Sequence, residues 1–224
     1  VWYVSDFFTL DDEQEERLEL LVRKNVDWHR HDQLPKYARL VREIDRDATT
    51  GAVTLATIDG HYARMIELWD EFIVQTTPDV SEFFLLLSAE QVDEFISNLE
   101  ESNQELWEEY AGRTAEERRD NRHKSTIRAM ERLLGRLSRD QRDLVRLYQD
   151  GLHDVSLEWM AGRRQWQQEF RDLVVERPPE PEFSERMTRL MLAPNHNDRD
   201  EYRLLVEENR LLMMRMVVAL NAEL

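Results

Sequence analysis

The sequence predicts an all-α protein, an elongated antiparallel multi-helix bundle with kinked helices and no sheet. Apolar residues recur at i, i+3, i+4 and i+7 in one stretch after another, the spacing of a helix face. Helix-start chemistry recurs with them. Leu10-Asp11-x-x-Gln14, Leu87-Ser88-x-x-Gln91 and Leu137-Ser138-x-x-Gln141 each place an N-cap acceptor three residues before a Gln that can reach back to it. No period-2 run is long enough for a strand.

The totals set bounds on function. A chain of 224 residues can bury a substantial core as a single helical domain, with possible sub-bundles at 1–112 and 113–224. The net charge of −17 lies in the first half: residues 1–110 hold 26 acidic and 9 basic side chains, and residues 111–224 hold 21 of each. Acidic surface repels phosphate backbones and anionic lipid, so nucleic acid is not an expected partner. A cationic partner, or one held by apolar surface, fits better. The lack of cysteine excludes disulfides, thiolate metal sites and a Cys nucleophile. No apolar run of 18 residues is present, so no membrane-spanning helix is expected. No signal peptide is visible, and Val1-Trp2-Tyr3-Val4 and Ala222-Glu223-Leu224 read as cuts from a longer protein.

Taken in order, Trp2, Tyr3, Phe7 and Phe8 are expected to pack as a short helix on the body. A first helix, capped at Asp11 with Gln14 at N3, carries Leu18, Leu21, Val22, Asn25 and Trp28 or His29. Pro35 predicts an end or kink near Gln33 and suits the first turn of a second helix with the stripe Leu34, Tyr37, Ala38, Val41 and Ile44. A third helix over 54–75 carries Leu55, Ile58, Tyr62, Met65, Ile66, Trp69, Phe72 and Ile73. Pro78 is expected to break it before a short apolar helix near 80–86.

Ser88 caps the next helix, with Leu87 and Val92 as a hydrophobic staple and a stripe running to Trp107 and Tyr110. Gly112 reads as its C′ residue. Thr114 and Glu117 form a further capping box, opening a basic helix to about Arg136 that should fold back on its predecessor as a hairpin. Charge sign reverses across this turn: residues 65–112 carry 13 acids and no Lys or Arg, while 113–146 carry 11 bases against 6 acids. Ser138 caps a helix that Gly151 should bend, followed by a helix over 154–176. Then come a stiff Pro178-Pro179-Glu180-Pro181 connector, a short helix over 183–192, a polar turn over 194–198 and an amphipathic helix from Asp200.

Candidate sites are few. Asp120-x-x-His123 and Asp150-x-x-His153 have the acid-x-x-His spacing of carboxylate-bridged metal bundles but lack the further inward Glu residues. His29 and His31 point to different sides of a helix. No metal, cofactor or catalytic residue is therefore assigned, there being no nucleophile elbow and no phosphate-binding Gly loop. The stretch Trp28-His29-Arg30-His31-Asp32-Gln33-Leu34-Pro35 reads first as a helix elbow whose His and Arg serve carbonyls exposed before Pro35. Its second reading is a recognition surface on Trp28, Arg30 and Tyr37. Glu100, Glu101, Glu105, Glu108 and Glu109 form a second candidate partner surface. The Met cluster Met187, Met191, Met213, Met214 and Met216 reads as core.

With these residues in place, the chain resembles a family of uncharacterised Gram-negative outer-membrane lipoproteins carrying a domain of unknown function. The likeness rests on Val4-Ser5-Asp6-Phe7-Phe8 with Leu10 to Gln14, Trp28-His29-Arg30 with Leu34-Pro35-x-Tyr37, and the Leu87 box. It continues through Glu116-Glu117-Arg118-Arg119, Leu134-Gly135-Arg136 with the Leu137 box, and Tyr202-Arg-x-Leu-x-x-Glu-Asn209 with Leu220-Asn221. The resemblance implies a signal peptide and lipidated Cys before Val1 and a further Leu-Thr-x-x-Gln helix after Leu224. It supplies no catalytic residue. A weaker likeness is to Spy- and CpxP-type periplasmic proteins, which share the Leu-Thr-x-x-Gln motif. The expected function is accordingly non-enzymatic: a periplasmic helical protein, tethered to the outer membrane only through its lipid, that binds another envelope protein. A Spy-type chaperone is the alternative, and metal-dependent or hydrolytic chemistry has the least support. Oligomeric state is not encoded legibly.

Overall fold

The computed structural model describes residue 7, residues 9–193 and residues 200–223, and every regular element among them is helical. These are α1 (Asp12–Trp28), α2 (Leu34–Thr49), α3 (Leu55–Leu86), α4 (Ala89–Leu106), α5 (Ala115–Leu134), α6 (Arg139–Asp150), α7 (Ser156–Glu176), α8 (Glu182–Leu192) and α9 (Asp200–Ala222). The side chain of Glu109, residues Trp2, Tyr3 and Phe8, and the turn expected over 194–198 lie outside the described residues.

The capping boxes form as expected. Asp11 accepts from the Gln14 amide N–H at 2.9 Å, Thr114 from Glu117 at 3.2 Å, Ser138 from Gln141 at 3.1 Å and Ser88 from Gln91 at 3.2 Å. Each N3 side chain returns a bond to its cap N–H. Leu87 and Val92, the staple pair, are both buried.

Two prolines behave differently from each other. Ahead of Pro35 the chain widens into a π-helical turn, His29–Gln33, in which Leu34 N–H reaches the His29 carbonyl. The extra residue makes room for a ring that would collide with an α-turn. Pro78, by contrast, does not break its helix: α3 runs on to Leu86 as one element, correcting the expected stop. The carbonyl that Pro78 leaves without its helical N–H belongs to Val74, a half-exposed residue. The hydroxyls of Thr76 and Thr77 bond back to the Phe72 and Ile73 carbonyls at 2.9 and 2.6 Å, a pattern that bends a helix without ending it.

Two stripes also depart from expectation. In α2, Leu40 is buried while Leu34, Val41 and Ile44 are exposed. The buried line continues from Gln33 through the half-buried Tyr37 to Leu40, one residue out of phase with the expected stripe. In α3, Tyr62, Met65, Ile66 and Trp69 are exposed, and burial falls on Leu68, Ile73, Phe83 and Phe84. Gly112 is not a left-handed cap. It closes a second π-turn, Trp107–Ala111, by bonding the Trp107 carbonyl at 2.6 Å, and a Cβ there would lie 3.0 Å from that oxygen. Positive φ belongs instead to Gly51, to Gly135, which caps α5, and to Arg177.

The chain divides into two compact units of interleaved stretches. The first comprises Val1–Leu40, Arg64–Leu106 and Ala161–His196; the second comprises Val41–Ala63, Trp107–Met160 and Asn197–Leu224. The first unit buries Leu18, Leu21, Phe83, Phe84, Leu87, Val92, Phe170, Leu173, Phe183 and Met187 in one core. Phe84 meets Phe170 edge-on at 5.0 Å between ring centroids, and Trp166 stacks on Phe170 at 5.5 Å. In the second unit α5 packs on α6 and α6 on α9, around Leu137, Val145, Met216 and Leu220. Met187 and Met216 are fully buried and Met214 nearly so, in keeping with the core reading of the methionines.

Candidate functional site

The first unit contains an apolar cleft of about 660 Å³ between α1, the π-turn after it, Tyr37 of α2 and α3. Its walls follow from helix spacing. Leu18, Leu21, Val22, Asn25 and His29 fall on one face of α1 and its π-turn, and Trp69, Phe72, Thr76, Val80 and Phe83 fall on one face of α3. The π-turn completes the site. His29, in line with the α1 face, stands among aromatic rings, 5.9 Å from Tyr37 and 5.9 Å edge-on to Phe72. Trp69 stacks on Phe72 at 5.7 Å, and Trp28 packs behind it at 6.3 Å.

Polar atoms sit in this apolar wall with partly unmet demand. Asp79 is buried, with its carboxylate held by Lys24 at 2.7 Å and by the Asn25 side-chain amide at 2.6 Å. That amide also donates to the Leu21 carbonyl at 2.9 Å, so both Asn25 donors are engaged while its buried Oδ1 has no protein partner. His29 Nδ1 is likewise buried and unbonded. Unpaired buried polar atoms are costly, typically ~1–3 kcal/mol each, and these two lie within the wall without accessible surface of their own. A mostly apolar concavity with a few convergent polar atoms is the usual form of a recognition site.

The structure separates the residues that the sequence grouped. Tyr37 lines the cleft and Trp28 supports it, whereas Arg30 is exposed and lies outside the lining. His31 serves the Asp27 carbonyl at 2.7 Å, the elbow role expected of this stretch. Glu100, Glu101 and Glu105 are exposed and make no ion pair among the described residues; Glu100 borders a separate polar cleft with Arg164 and Arg171, and Glu108 is exposed on the second π-turn. The α3 side of the aromatic cleft is not singled out in the sequence, where Trp69 and Phe72 stand only as members of a helix stripe. Their signal was their excess: Met65, Ile66 and Trp69 crowd a helix that has no room to bury all of them.

No group of three or more His, Asp or Glu side chains able to hold a metal occurs among the described residues. The two acid-x-x-His motifs do meet: His123 Nε2 lies 3.0 Å from Asp150 Oδ1, close but without hydrogen-bond geometry. His153 pairs instead with Glu208 at 2.7 Å, while its backbone N–H bonds Asn209 at 2.8 Å. No helix among the described residues is long and apolar enough to cross a membrane. The model of a family of unknown function, DUF6279, matches residues 6–203. No curated protein and no solved structure matches the chain.

Proposed function

The chain belongs to this family of unknown function, and we propose that it serves as a non-enzymatic periplasmic binding module, tethered to the outer membrane by a lipidated N-terminus, that seats an amphipathic helix of another envelope protein in the α1–α3 cleft. The observation that carries the reading is the cleft itself: about 660 Å³ walled by aromatic and aliphatic side chains, Trp69, Phe72, Tyr37, Val22 and Val26 among them. Helix-in-groove recognition uses such a wall for apolar anchors at i, i+3 and i+4. Charge narrows the occupant to a cationic helix. The unit holding the cleft carries 26 acidic and 13 basic residues, and Asp27 and Asp32 on the α1 side are exposed without ion pairs among the described residues. Lys or Arg flanking the anchors would meet that field, which governs encounter rate and partner choice more than affinity.

A photo-crosslinking residue at Trp69, half exposed on the cleft wall, tests this in intact envelopes. The expected adduct is one protein, modified within a Lys/Arg-bearing amphipathic helix. The open row Met65, Ile66 and Trp69 also suits a Spy-type chaperone that holds unfolded clients. Adducts spread over many unfolded chains, with suppression of client aggregation at equimolar ratio, would favour that second reading.

A further inference from the structure

A cleft of about 300 Å³ in the second unit gathers Arg113, Arg118, Arg122 and Arg128 around Asn121, Ser125 and Ser156. The helix pattern explains the convergence: 118, 122, 125 and 128 lie on one face of α5, Arg113 precedes its cap, and Ser156 opens α7. Asp154 is the only carboxylate within ion-pair distance of these guanidinium groups among the described residues, and Glu117 acts on Arg113 from farther away. Asp154 is committed to Arg118 at 2.6 Å and stands 4.0 Å from Arg122. Arg122 Nε is buried and has no hydrogen-bond partner, and neither Arg113 nor Arg128 is within ion-pair distance of an acid among the described residues. Positive charge is therefore under-compensated here, inside a protein whose net charge is −17.

We propose that this arginine cleft is a binding site for a phosphate group. Guanidinium forks match both carboxylates and phosphates. The distribution of donors favours phosphate, because the guanidinium groups approach from one face of α5 and from the turn before it. A planar carboxylate presents two oxygens to one side, whereas a phosphomonoester presents three around a tetrahedron. The N-terminal end of α7 is already met by Asp154, which accepts from the Ser156 N–H and hydroxyl, so the site rests on the arginines. The same chemistry is offered by free phosphate and by a lipid headgroup.

The test follows the Arg122 Nε–H resonance while inorganic phosphate is added at constant ionic strength, with chloride as reference. Saturable movement with phosphate alone is expected, together with a rise in melting temperature. Arg122→Gln combined with Arg128→Gln should weaken phosphate binding by about tenfold or more and leave the melting temperature in chloride close to that of the parent, which shows that the variant folds. Vesicles of phosphatidic acid against phosphatidylcholine separate the sources: flotation with the first only, lost in the double variant, assigns a lipid headgroup. Flotation with neither, alongside binding of free phosphate, assigns a soluble one. Equal responses to chloride and phosphate, or unchanged phosphate binding in the folded double variant, would overturn the site.

Discussion

Gln14 and Gln91, each the N3 residue of its own capping box, are bonded amide to amide. Gln14 Nε2 donates to Gln91 Oε1 at 2.9 Å, and Gln91 Nε2 donates to Gln14 Oε1 at 2.6 Å. The remaining capacity is spent symmetrically. Each oxygen accepts its own cap N–H, and each nitrogen donates to a carbonyl two residues before the other box's cap, Leu86 for Gln14 and Thr9 for Gln91. A capping box tolerates Glu or Gln; this clasp admits only Gln, since a carboxylate has no proton to give.

Gln14→Glu tests that distinction. It preserves the cap and deletes two donors, setting a negative oxygen against the Leu86 carbonyl. Urea unfolding should show a loss of about 2 kcal/mol. Gln14→Ala and Gln91→Ala should be non-additive by about 1 kcal/mol in a double-mutant cycle. Additive losses would reduce the pair to two independent caps.

Asp79 fixes the cleft floor. Asp79→Ala removes the acceptor of Lys24 and Asn25 together, and it should cost about 2–3 kcal/mol because the Asn25 amide stays buried with one partner fewer. Lys24→Ala should cost much less, its side chain being 60 % exposed. Chemical denaturation of the two variants side by side reads the difference. Equal losses would place the stabilisation in the ion pair and not in the Asn25 bond.

The second unit has an acid-sensitive joint at Asp154. Burial pushes its carboxyl upward, but the Ser156 hydroxyl and Arg118 outweigh that and leave it below the ordinary value of 3.8. A carboxylate depressed on folding stabilises above its unfolded value and loses that contribution as pH falls through the folded one. The melting temperature should therefore drop on acidification below about pH 4, and Asp154→Asn should flatten that part of the profile while lowering stability at pH 7. A variant with an unchanged acid limb would remove Asp154 from the account.

Much of this architecture is legible in the sequence for physical reasons. Caps are local, so Asp11, Ser88, Thr114 and Ser138 announced their helices through spacing alone. The clasp was not legible, because Gln14 and Gln91 are distant in sequence and nothing local says that two N3 amides will meet. Pro78 misled because its missing N–H is a local fact, whereas the tie-backs at Thr76 and Thr77 and the burial that holds α3 together are tertiary. The cleft is half visible: the sequence groups Tyr37 with Trp28 and Arg30, while Trp69 and Phe72 stand only in a helix stripe. A helix stripe alone does not say whether a neighbour covers it.

Titration calorimetry with a designed helix tests whether the α1–α3 cleft binds a cationic amphipathic partner. The ligand is an amphipathic Leu/Lys peptide, compared with its Leu/Glu counterpart, against the parent protein and Val26→Arg. Val26 lines the cleft and is 46 % exposed, so an arginine there is tolerated by the fold while blocking the seat and repelling a cation. The account predicts micromolar binding of the Leu/Lys peptide, a loss of at least about tenfold in Val26→Arg, and no measurable binding of the Leu/Glu peptide. Equal affinity of the Leu/Lys peptide for parent and variant would contradict it.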